Sequence, residues 1–338
     1  CIRRNSALST VANFVPEIYR FCYSAYHQTS ILQYGQQTIE SQEGVQQGDP
    51  MGPLLFYLAV HPLLLSLASE LTFRFLDDFT ISMVTAEVAS IKNKGASLGL
   101  TLNPSKSEVI SRSGNITHAQ FTGFHQLSSD YATLLGAPIF SGPAMDASLF
   151  TLYEDLKLAV DRLHLISAHD ALVLRKTCLG GPKLQYVLRT SPCCDHPLLP
   201  QFDELLRLAL TKTCNLCLTD DQWIQASLPV WSGGLGVRSV FKLASSAFLA
   251  SAAGTLTPKA QILRNTLAAD EDTSTSLSHW LSLSGLSAGD SLPIGNQRVL
   301  DSAVVTHTFS SLLNSQTSQY NRARLLAVAA AHSGDWLH

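Results

Sequence analysis

The sequence has few charged residues and no excess of basic ones. Charged residues make up 14% of the 338 positions, and 23 Lys and Arg stand against 26 Asp and Glu, which gives a net charge of −3. This balance counts against a strong non-specific nucleic-acid binder, which normally has an excess of Lys and Arg, although a local basic groove is still allowed. Hydrophobic residues reach 46%, which excludes disorder over most of the chain and predicts a well-packed, helix-rich globule.

The chain also lacks a disulfide framework and a long uninterrupted apolar run. Its seven Cys are irregularly spaced, which predicts reduced thiols and an intracellular protein, nuclear or cytoplasmic. The most apolar stretch, 53–71, contains His61, Pro62 and Ser66. Because a membrane span needs about 20 cleaner residues, this stretch predicts a buried helix instead. Position 1 is Cys and not Met, so we expect a partial chain.

Hydrophobic spacing predicts a mixed first half. Helical spacing over 5–28 is broken at Pro16, where one helix should end and another begin. Two short extended runs on either side of Gly35 predict a hairpin. Alternation over 71–75 and again over 79–83 predicts two strands joined by a turn.

The second half reads as helical from about residue 146. Thr219 and Gln222 have the spacing of a capping box, which predicts a helix that begins at Asp220. Residues 233–236, rich in Gly, predict a turn and not a phosphate-binding loop, because no Lys-Ser or Lys-Thr follows them. The stretch 270–296 is rich in Ser, Asp and Gly, and we expect it to be the loosest linker.

The adjacent carboxylates of Asp77 and Asp78 lie at the predicted turn between the two strands. Asp-Asp is a poor choice for a two-residue hairpin turn, which favours Asn-Gly or Asp-Gly. Adjacent carboxylates also repel each other unless cations hold them. Two-metal phosphoryl transfer requires such a pair, with two Mg²⁺ ions ~4 Å apart. The alternative is a plain, solvent-exposed acidic turn.

Four blocks, in this order and spacing, resemble the reverse transcriptases of non-LTR retrotransposons. The blocks are 43–53, similar to motif B; 75–78, similar to motif C; 99–108, similar to motif D; and 134–139, similar to motif E. The first block is highly specific, whereas the other three gain weight from their order. The resemblance implies that Asp77 and Asp78 are catalytic residues and metal ligands.

The motif B block predicts a loop that contacts substrate. The resemblance implies template or nucleotide binding by Gln46, Gln47, Gly48, Asp49 and Pro50. Glycine lets the backbone approach a ligand closely, and the glutamine amides both donate and accept hydrogen bonds. The alternative interpretation is a helix N-terminus with Asp49 as its cap and Pro50 in the first helical position. Both interpretations can hold together.

Lys106 follows a turn that Asn103 and Pro104 predict. The resemblance implies a catalytic lysine that approaches the triphosphate, and an ammonium there would act as counter-charge or general acid. The alternative is a solvated lysine that pairs with Glu108.

A zinc site is not expected. The nearest approach to a ligand set consists of Cys193, Cys194, His196, Cys214 and Cys217. These residues lack the spacing of paired zinc knuckles. The spacing of Cys214 and Cys217 instead predicts the core face of a helix, and Trp223 and Trp231 are expected in the core and not as base-stacking platforms.

The most basic local stretch has two open interpretations. It contains Arg175, Lys176, Lys183 and Arg189. These side chains could contact the backbone of a template–primer duplex, or they could form an ordinary solvated face.

The resulting prediction is an α+β protein. Residues 1–141 are expected to form most of a polymerase palm, an antiparallel sheet backed by helices; 142–255 a helical thumb; and 256–338 a helical extension. The resemblance implies RNA-directed DNA polymerase activity with an RNA template, a DNA primer and deoxynucleoside triphosphates as partners. It further implies Mg²⁺, or alternatively Mn²⁺, as cofactor. No membrane partner is expected.

The family places a third aspartate and the fingers ahead of the segment that matches the start of this chain. We therefore expect the chain to lack motif A and the fingers, and to be inactive in isolation. The main alternative function is a non-catalytic remnant that binds nucleic acid or a protein partner. A telomerase or a group II intron maturase, which share the palm, is a third and less favoured interpretation.

Overall fold

The computed structural model describes two compact units. It covers residues 2–46, 48–69, 71–75, 78–82, 85–111, 118–263, 271–287 and 296–337, without the side chains of 73–75, 85, 86, 263 and 336. The first unit is Cys1–Leu127 and the second is Ser128–His338. The assignment of these residues to palm, thumb and extension stays a prediction.

The first unit combines four helices with short strand pairs in the part of the chain that is described. The helices are α1 (Arg4–Phe14), α2 (Tyr19–Tyr26), α3 (Gly52–Leu65) and α4 (Thr85–Ser97), and the strands are β1 (Ser30–Tyr34), β2 (Gln37–Ser41), β3 (Leu71–Phe75), β4 (Asp78–Ser82), β5 (Glu108–Ile110) and β6 (His125–Leu127). β1–β2 and β3–β4 are antiparallel, whereas β5–β6 is parallel. Both predicted hairpins are therefore confirmed.

Backbone chemistry sets several ends in this unit. α1 ends at Phe14, and Pro16 opens the short turn that leads into α2, as a residue without a backbone N–H favours. Gly99 follows α4 with φ 83°, a left-handed conformation that glycine adopts without strain.

The core of the first unit is made by its helices. Val11 of α1 and Leu55 of α3, respectively 0% and 1% exposed, meet α2 in one cluster, and Ala59 and Val60 of α3 form a second one. The β1–β2 hairpin buries little, since Ile31 is 69% exposed. Among the described side chains of this unit, the helices thus supply most of the apolar burial that stabilises it.

The second unit is helical apart from one two-residue strand pair in its described residues. Its strands are β7 (Thr133–Leu134) and β8 (Ala137–Pro138), and its helices are α5 (Pro143–Arg162), α6 (Ala168–Leu174), α7 (Gly181–Thr190), α8 (Leu198–Cys214), α9 (Asp220–Ser227), α10 (Val240–Gly254), α11 (Leu256–Leu263), α12 (Glu271–Ser284), α13 (Gln297–Ser315) and α14 (Gln319–Val328). The predicted capping box of Thr219 and Gln222 opens α9.

A continuous core joins α5, α7, α8 and α10. Phe202 of α8 lies at its centre, fully buried, and its ring meets Tyr153 of α5 edge-on at 5.4 Å. Burying a side chain of this size contributes roughly 1.5–3 kcal/mol. This core is the largest hydrophobic cluster among the described residues.

The prediction of a loose linker over 270–296 is wrong for its first part. Residues 271–284 form α12, and Trp280 on this helix is fully buried. The Trp280 indole N–H donates to the Leu300 carbonyl at 3.1 Å, so a buried aromatic ties α12 to α13. The prediction failed because the many exposed Ser and Asp residues made the stretch look polar, although one face of the helix is apolar.

The predicted α+β class is confirmed: helices dominate, and the sheets are small and mostly antiparallel. Among the described residues no single helix has the length and apolar composition of a membrane span. Val240–Gly254 and Leu256–Ile262, which meet at a 46° bend, reach that length and composition only together.

Candidate active site

Asp78 opens strand β4 at the tip of the described part of the β3–β4 hairpin. The register pairs Asp78 with Phe75, while Leu76 and Asp77 lie outside the described residues. The Asp78 side chain is exposed, and no described residue donates a hydrogen bond or an ion pair to its carboxylate. An exposed carboxylate without a protein partner is a free acceptor for a hard cation.

The hairpin that carries Asp78 leans on the apolar helix α3. The Phe79 ring lies 6.5 Å from the Phe56 ring of that helix. Because Phe79 follows Asp78 in β4, this contact fixes the strand directly after the carboxylate. Within the described residues β3 and β4 pair only with each other.

The predicted substrate loop depends on glycine backbone conformations. Gly44 and Gly48 have φ values of 75° and 88°, a region that disfavours side chains. A Cβ on Gly52 would stand 3.3 Å from the Gln46 carbonyl, so the loop closes tightly onto the start of α3. Gly48 and Pro50 are exposed; Gln47 lies outside the described residues.

Tyr26 of α2 holds this loop from beneath. Its hydroxyl donates to Asp49 Oδ2 and accepts from the Gln46 backbone N–H at 3.2 Å. Burial, and then its hydrogen bond to Asp49, raise the pKa of the Tyr26 hydroxyl. The second Asp49 oxygen accepts from the Met51 N–H at 2.9 Å, and the Gln46 amide donates to Ser30 Oγ at 2.9 Å. The side chains of Gln46 and Asp49 are thus engaged within the protein.

The helix-cap interpretation of this block needs correction. α3 begins at Gly52 with a proline in its first turn, and no side chain caps it. That proline is Pro53, two residues after Met51, so Pro50 is not in the first helical position. Asp49 instead fixes the turn before the helix through the Met51 N–H. The carboxylate can reach that N–H before helical geometry starts.

Arg4 supports the same loop and was not anticipated from the sequence. It is 7% exposed, and it donates to the carbonyls of Gly44 at 3.1 Å and Gln28 at 3.0 Å, and to Ser41 Oγ at 2.9 Å. Its guanidinium also lies 5.5 Å from the centre of the Tyr26 ring. The signal in the sequence was an arginine at a position that the helical pattern of α1 makes internal.

Lys106 closes a one-turn helix that Asn103 initiates. The Asn103 side chain accepts from the Ser105 N–H, as the predicted turn requires. Lys106 is exposed, and its ammonium has no carboxylate within ion-pair distance in the described chain. The predicted pairing of Lys106 with Glu108 is therefore wrong, whereas the solvated lysine of the same alternative agrees with this exposure. The ammonium is available to an anion.

The structure places all described site residues in the first unit but on three separate elements. The loop carries Gln46, Gly48, Asp49 and Pro50; the hairpin carries Asp78; and the turn after α4 carries Lys106. No hydrogen bond or ion pair between described residues joins these three elements at their functional side chains.

Asp78 fits a role in holding a divalent cation, since its oxygens are exposed and unpaired among the described residues. No group of three or more His, Cys, Asp or Glu side chains converges anywhere in that part of the chain. A complete ligand set would therefore need Asp77, which lies outside it, and further oxygens from substrate, water or another segment.

The cysteines considered for zinc occupy different surroundings. Cys193 and Cys194 are buried in the core of the second unit, and burial raises the pKa of Cys193 to about 12. His196 contacts Asp146 at 2.9 Å. Cys214 and Cys217 are both exposed, because α8 ends at Cys214. Their predicted place on the core face of a helix is wrong, whereas the absence of zinc stays a prediction.

The basic stretch of the second unit contains one buried residue and three that are at least partly exposed. Arg175 is fully buried and donates to the Ala209 carbonyl at 2.9 Å, so it neither contacts a duplex nor forms a solvated face. Burial lowers the pKa of its guanidinium. Lys176, Lys183 and Arg189 have partly or fully exposed side chains.

Of the two tryptophans predicted in the core, one lies there and the other is exposed. Trp223 packs, partly buried, against the main cluster of the second unit, as predicted. Trp231 is 57% exposed, so its prediction as a core residue is wrong.

Residues 2–137 match the model of the family described as reverse transcriptase (RNA-dependent DNA polymerase). The matched segment, less than half of the chain, contains the loop, the Asp78 hairpin and Lys106. It supports a reverse transcriptase, an RNA-directed DNA polymerase, as the class to which this segment is similar. A search of curated proteins finds no match.

Proposed function

We propose that this chain carries the nucleotidyl-transfer site of an RNA-directed DNA polymerase of the non-LTR retrotransposon type. The observation that carries the proposal is the position of Asp78. It is an exposed carboxylate without a described partner, at the tip of a hairpin inside the segment that matches the reverse transcriptase family. The loop and Lys106 follow the order of the same family's motifs.

In this proposal each residue has a distinct role. Asp77 and Asp78 hold the divalent cations, which when bound supply positive charge to the attacking primer oxygen and the leaving pyrophosphate. Lys106 presents its ammonium to the triphosphate as counter-charge or proton donor. The exposed backbone of Gly48 and Pro50 contacts the nucleotide or template, while Tyr26, Arg4 and Asp49 hold that loop in place. Gln47 would add a polar contact, and Gln46 would do so only by leaving Ser30.

The second unit would then hold the template–primer duplex. Residues 142–255 are proposed as a thumb and 256–338 as an extension. Lys176, Lys183 and Arg189 are its candidates for phosphate contact, with Lys183 shared with Asp155 at 3.3 Å. Arg175 is removed from this set because it is buried.

Primer extension tests the proposal. The protein that the complete reading frame encodes is given an RNA template, a DNA primer, deoxynucleotides and Mg²⁺. We expect Mg²⁺-dependent extension, loss of that extension in Asp78→Asn, and full retention in Glu108→Gln, a matched exposed acid in the same unit. Extension that survives Asp78→Asn contradicts the catalytic role.

The alternative is a non-catalytic protein that binds nucleic acid or a protein partner. Its outcome is distinct: no extension in any context, together with template–primer binding that Asp78→Asn leaves unchanged. That combination would replace the enzyme proposal.

A further inference from the structure

A groove of about 480 Å³ on the second unit combines an aromatic ring with several cationic side chains. Its walls come from the helical turn Arg175–Leu179 and the following α7, from the segment before α10 and the start of α10, and from α13. The lining that matters here consists of Trp231, Lys176, Arg238, Arg298, Asp301 and Gln297. A volume of this size accommodates one or two nucleotides or a comparable ligand.

The groove carries positive charge that the protein does not neutralise. Arg238 and Asp301 form a two-pronged ion pair, with oxygen–nitrogen distances of 2.8 and 2.7 Å, and so cancel each other. Lys176 donates to the Leu337 carbonyl at 2.9 Å, which fixes its position but leaves its charge. Arg298 is exposed, and no described carboxylate pairs with it. Two uncompensated cations therefore face the groove in a chain whose net charge is −3.

Trp231 is presented to solvent by a rigid turn. Its neighbours Val230 and Ser232 are 6% and 7% exposed, whereas Trp231 is 57% exposed. A Cβ on Gly234 would clash with the Leu228 carbonyl, so the backbone after the ring is tightly enclosed. An exposed indole on a fixed backbone is an aromatic platform that loses little entropy when a planar group stacks on it.

Paired amides complete the groove. Gln185 and Gln297 exchange two hydrogen bonds, at 2.6 and 3.3 Å, and Arg189 donates to the Gln297 oxygen at 3.3 Å. Amide groups both donate and accept, as the edges of nucleobases do.

We propose that this groove binds a segment of single-stranded nucleic acid, with one base stacked on Trp231 and its phosphates next to Lys176 and Arg298. A duplex hides its bases between neighbours and cannot use the ring except at an end. An acidic peptide would use the cations but gain little from the indole. The inference goes beyond the proposed polymerase function, since it needs neither Asp78 nor metal.

Equilibrium binding of the full chain to a fluorescent eight-nucleotide strand, RNA and DNA in turn, tests this inference without metal or deoxynucleotides. A strand of the same length without bases is measured beside it. We expect Trp231→Ala to weaken binding to the base-containing strand by about tenfold and to leave the abasic strand unchanged, while Trp231→Phe loses less. We expect Arg298→Ala to reduce the salt slope of both strands by about 0.7.

Matched controls lie on the same unit. Tyr320→Ala removes an aromatic ring that is 76% exposed, and Lys157→Ala removes a cation with 51% side-chain exposure; neither should change binding. The inference is overturned if Trp231→Ala binds the base-containing strand as tightly as the parent does. If Trp231→Ala lost as much affinity for the abasic strand or for polyglutamate as for the base-containing strand, the inference would also be overturned, in favour of a general anion-binding surface. Because Asp78→Asn is expected to bind this strand normally, failure here is distinguishable from failure of the polymerase proposal.

Discussion

The two units of the chain bury their apolar residues in different ways. In the second unit a large cluster runs through α5, α7, α8 and α10 and a smaller one joins α10, α12 and α13, whereas the described part of the first unit has two small clusters around α1–α3. The first unit also exposes apolar side chains on its hairpins, such as Tyr34 at 78% and Ile31 at 69%. The residues proposed for chemistry all lie in this first unit.

The difference shows which interactions stabilise each unit. The second unit is stabilised mainly by the packing of its large apolar cluster, in which four helices meet. It also buries polar side chains, among them Arg175 and several serines. The site loop of the first unit is stabilised instead by a few hydrogen bonds from Arg4 and Tyr26. Polar networks of this kind specify one geometry but lose it when a single partner is removed.

The largest expected effect is a core deletion in the second unit. Phe202→Ala removes a fully buried ring and should lower the free energy of unfolding of that unit by about 3–5 kcal/mol. Leu208→Ala on the same helix, at a site 48% exposed, should change it by less than about 0.5 kcal/mol. Urea unfolding followed by circular dichroism measures both. Equal effects would contradict the packing account.

The next effect is a dependence on pH that also belongs to the second unit. Burial raises the pKa of Asp203 from 3.8 to about 6. The hydrogen bonds that Ser239 and Val240 donate to it and the nearby charge of Lys242 lower the pKa, but burial has the larger effect. Because the folded-state pKa is the higher one, the contribution of Asp203 is full below about pH 4 and is lost as pH rises through 6. The loss is about 3 kcal/mol.

Chemical unfolding at several pH values between 4 and 7 tests this window. Asp203→Asn should remove most of the decline in stability, whereas Asp155→Asn, an acid 58% exposed, should keep it. If stability declined as much in Asp203→Asn as in the parent chain, the pH dependence would have to come from other groups.

The smallest of the three effects is on the site loop. Tyr26→Phe keeps the ring but removes the hydroxyl partner of Asp49 Oδ2 and of the Gln46 N–H, and should cost about 1–2 kcal/mol. Hydrogen exchange at Gln46, Asp49 and Gly52 should speed up more than exchange elsewhere in the unit. Tyr23→Phe, on the same helix with a 46% exposed side chain, is the matched control. Unchanged exchange in Tyr26→Phe would show that the loop is held by other contacts.

The parts of this fold that the sequence predicted are those that depend on neighbouring residues. The β3–β4 hairpin follows from alternation, and the start of α9 follows from Thr219 and Gln222, whose bonds span three residues. Such signals are local, so a pattern in the chain contains them completely.

The parts that were missed depend on partners distant in the chain. Trp280 meets a carbonyl 20 residues away, and Arg4 meets one 40 residues away. The exposure of Trp231 follows from how its turn is seated, which the periodicity of the chain does not encode. In the candidate site the loop and Asp78 were therefore predictable from motifs, whereas the side chains that hold the loop were not.

The central claim is that the Asp78 hairpin is a divalent-cation site, and a Mn²⁺ titration followed by nuclear magnetic resonance tests it most directly. Paramagnetic broadening at low Mn²⁺ should concentrate on amides around Asp78, persist in Glu108→Gln, and disappear in the double variant Asp77→Asn/Asp78→Asn. With only these two carboxylates the affinity should be weak. The same pattern of broadening in the double variant and in the parent chain would contradict the claim.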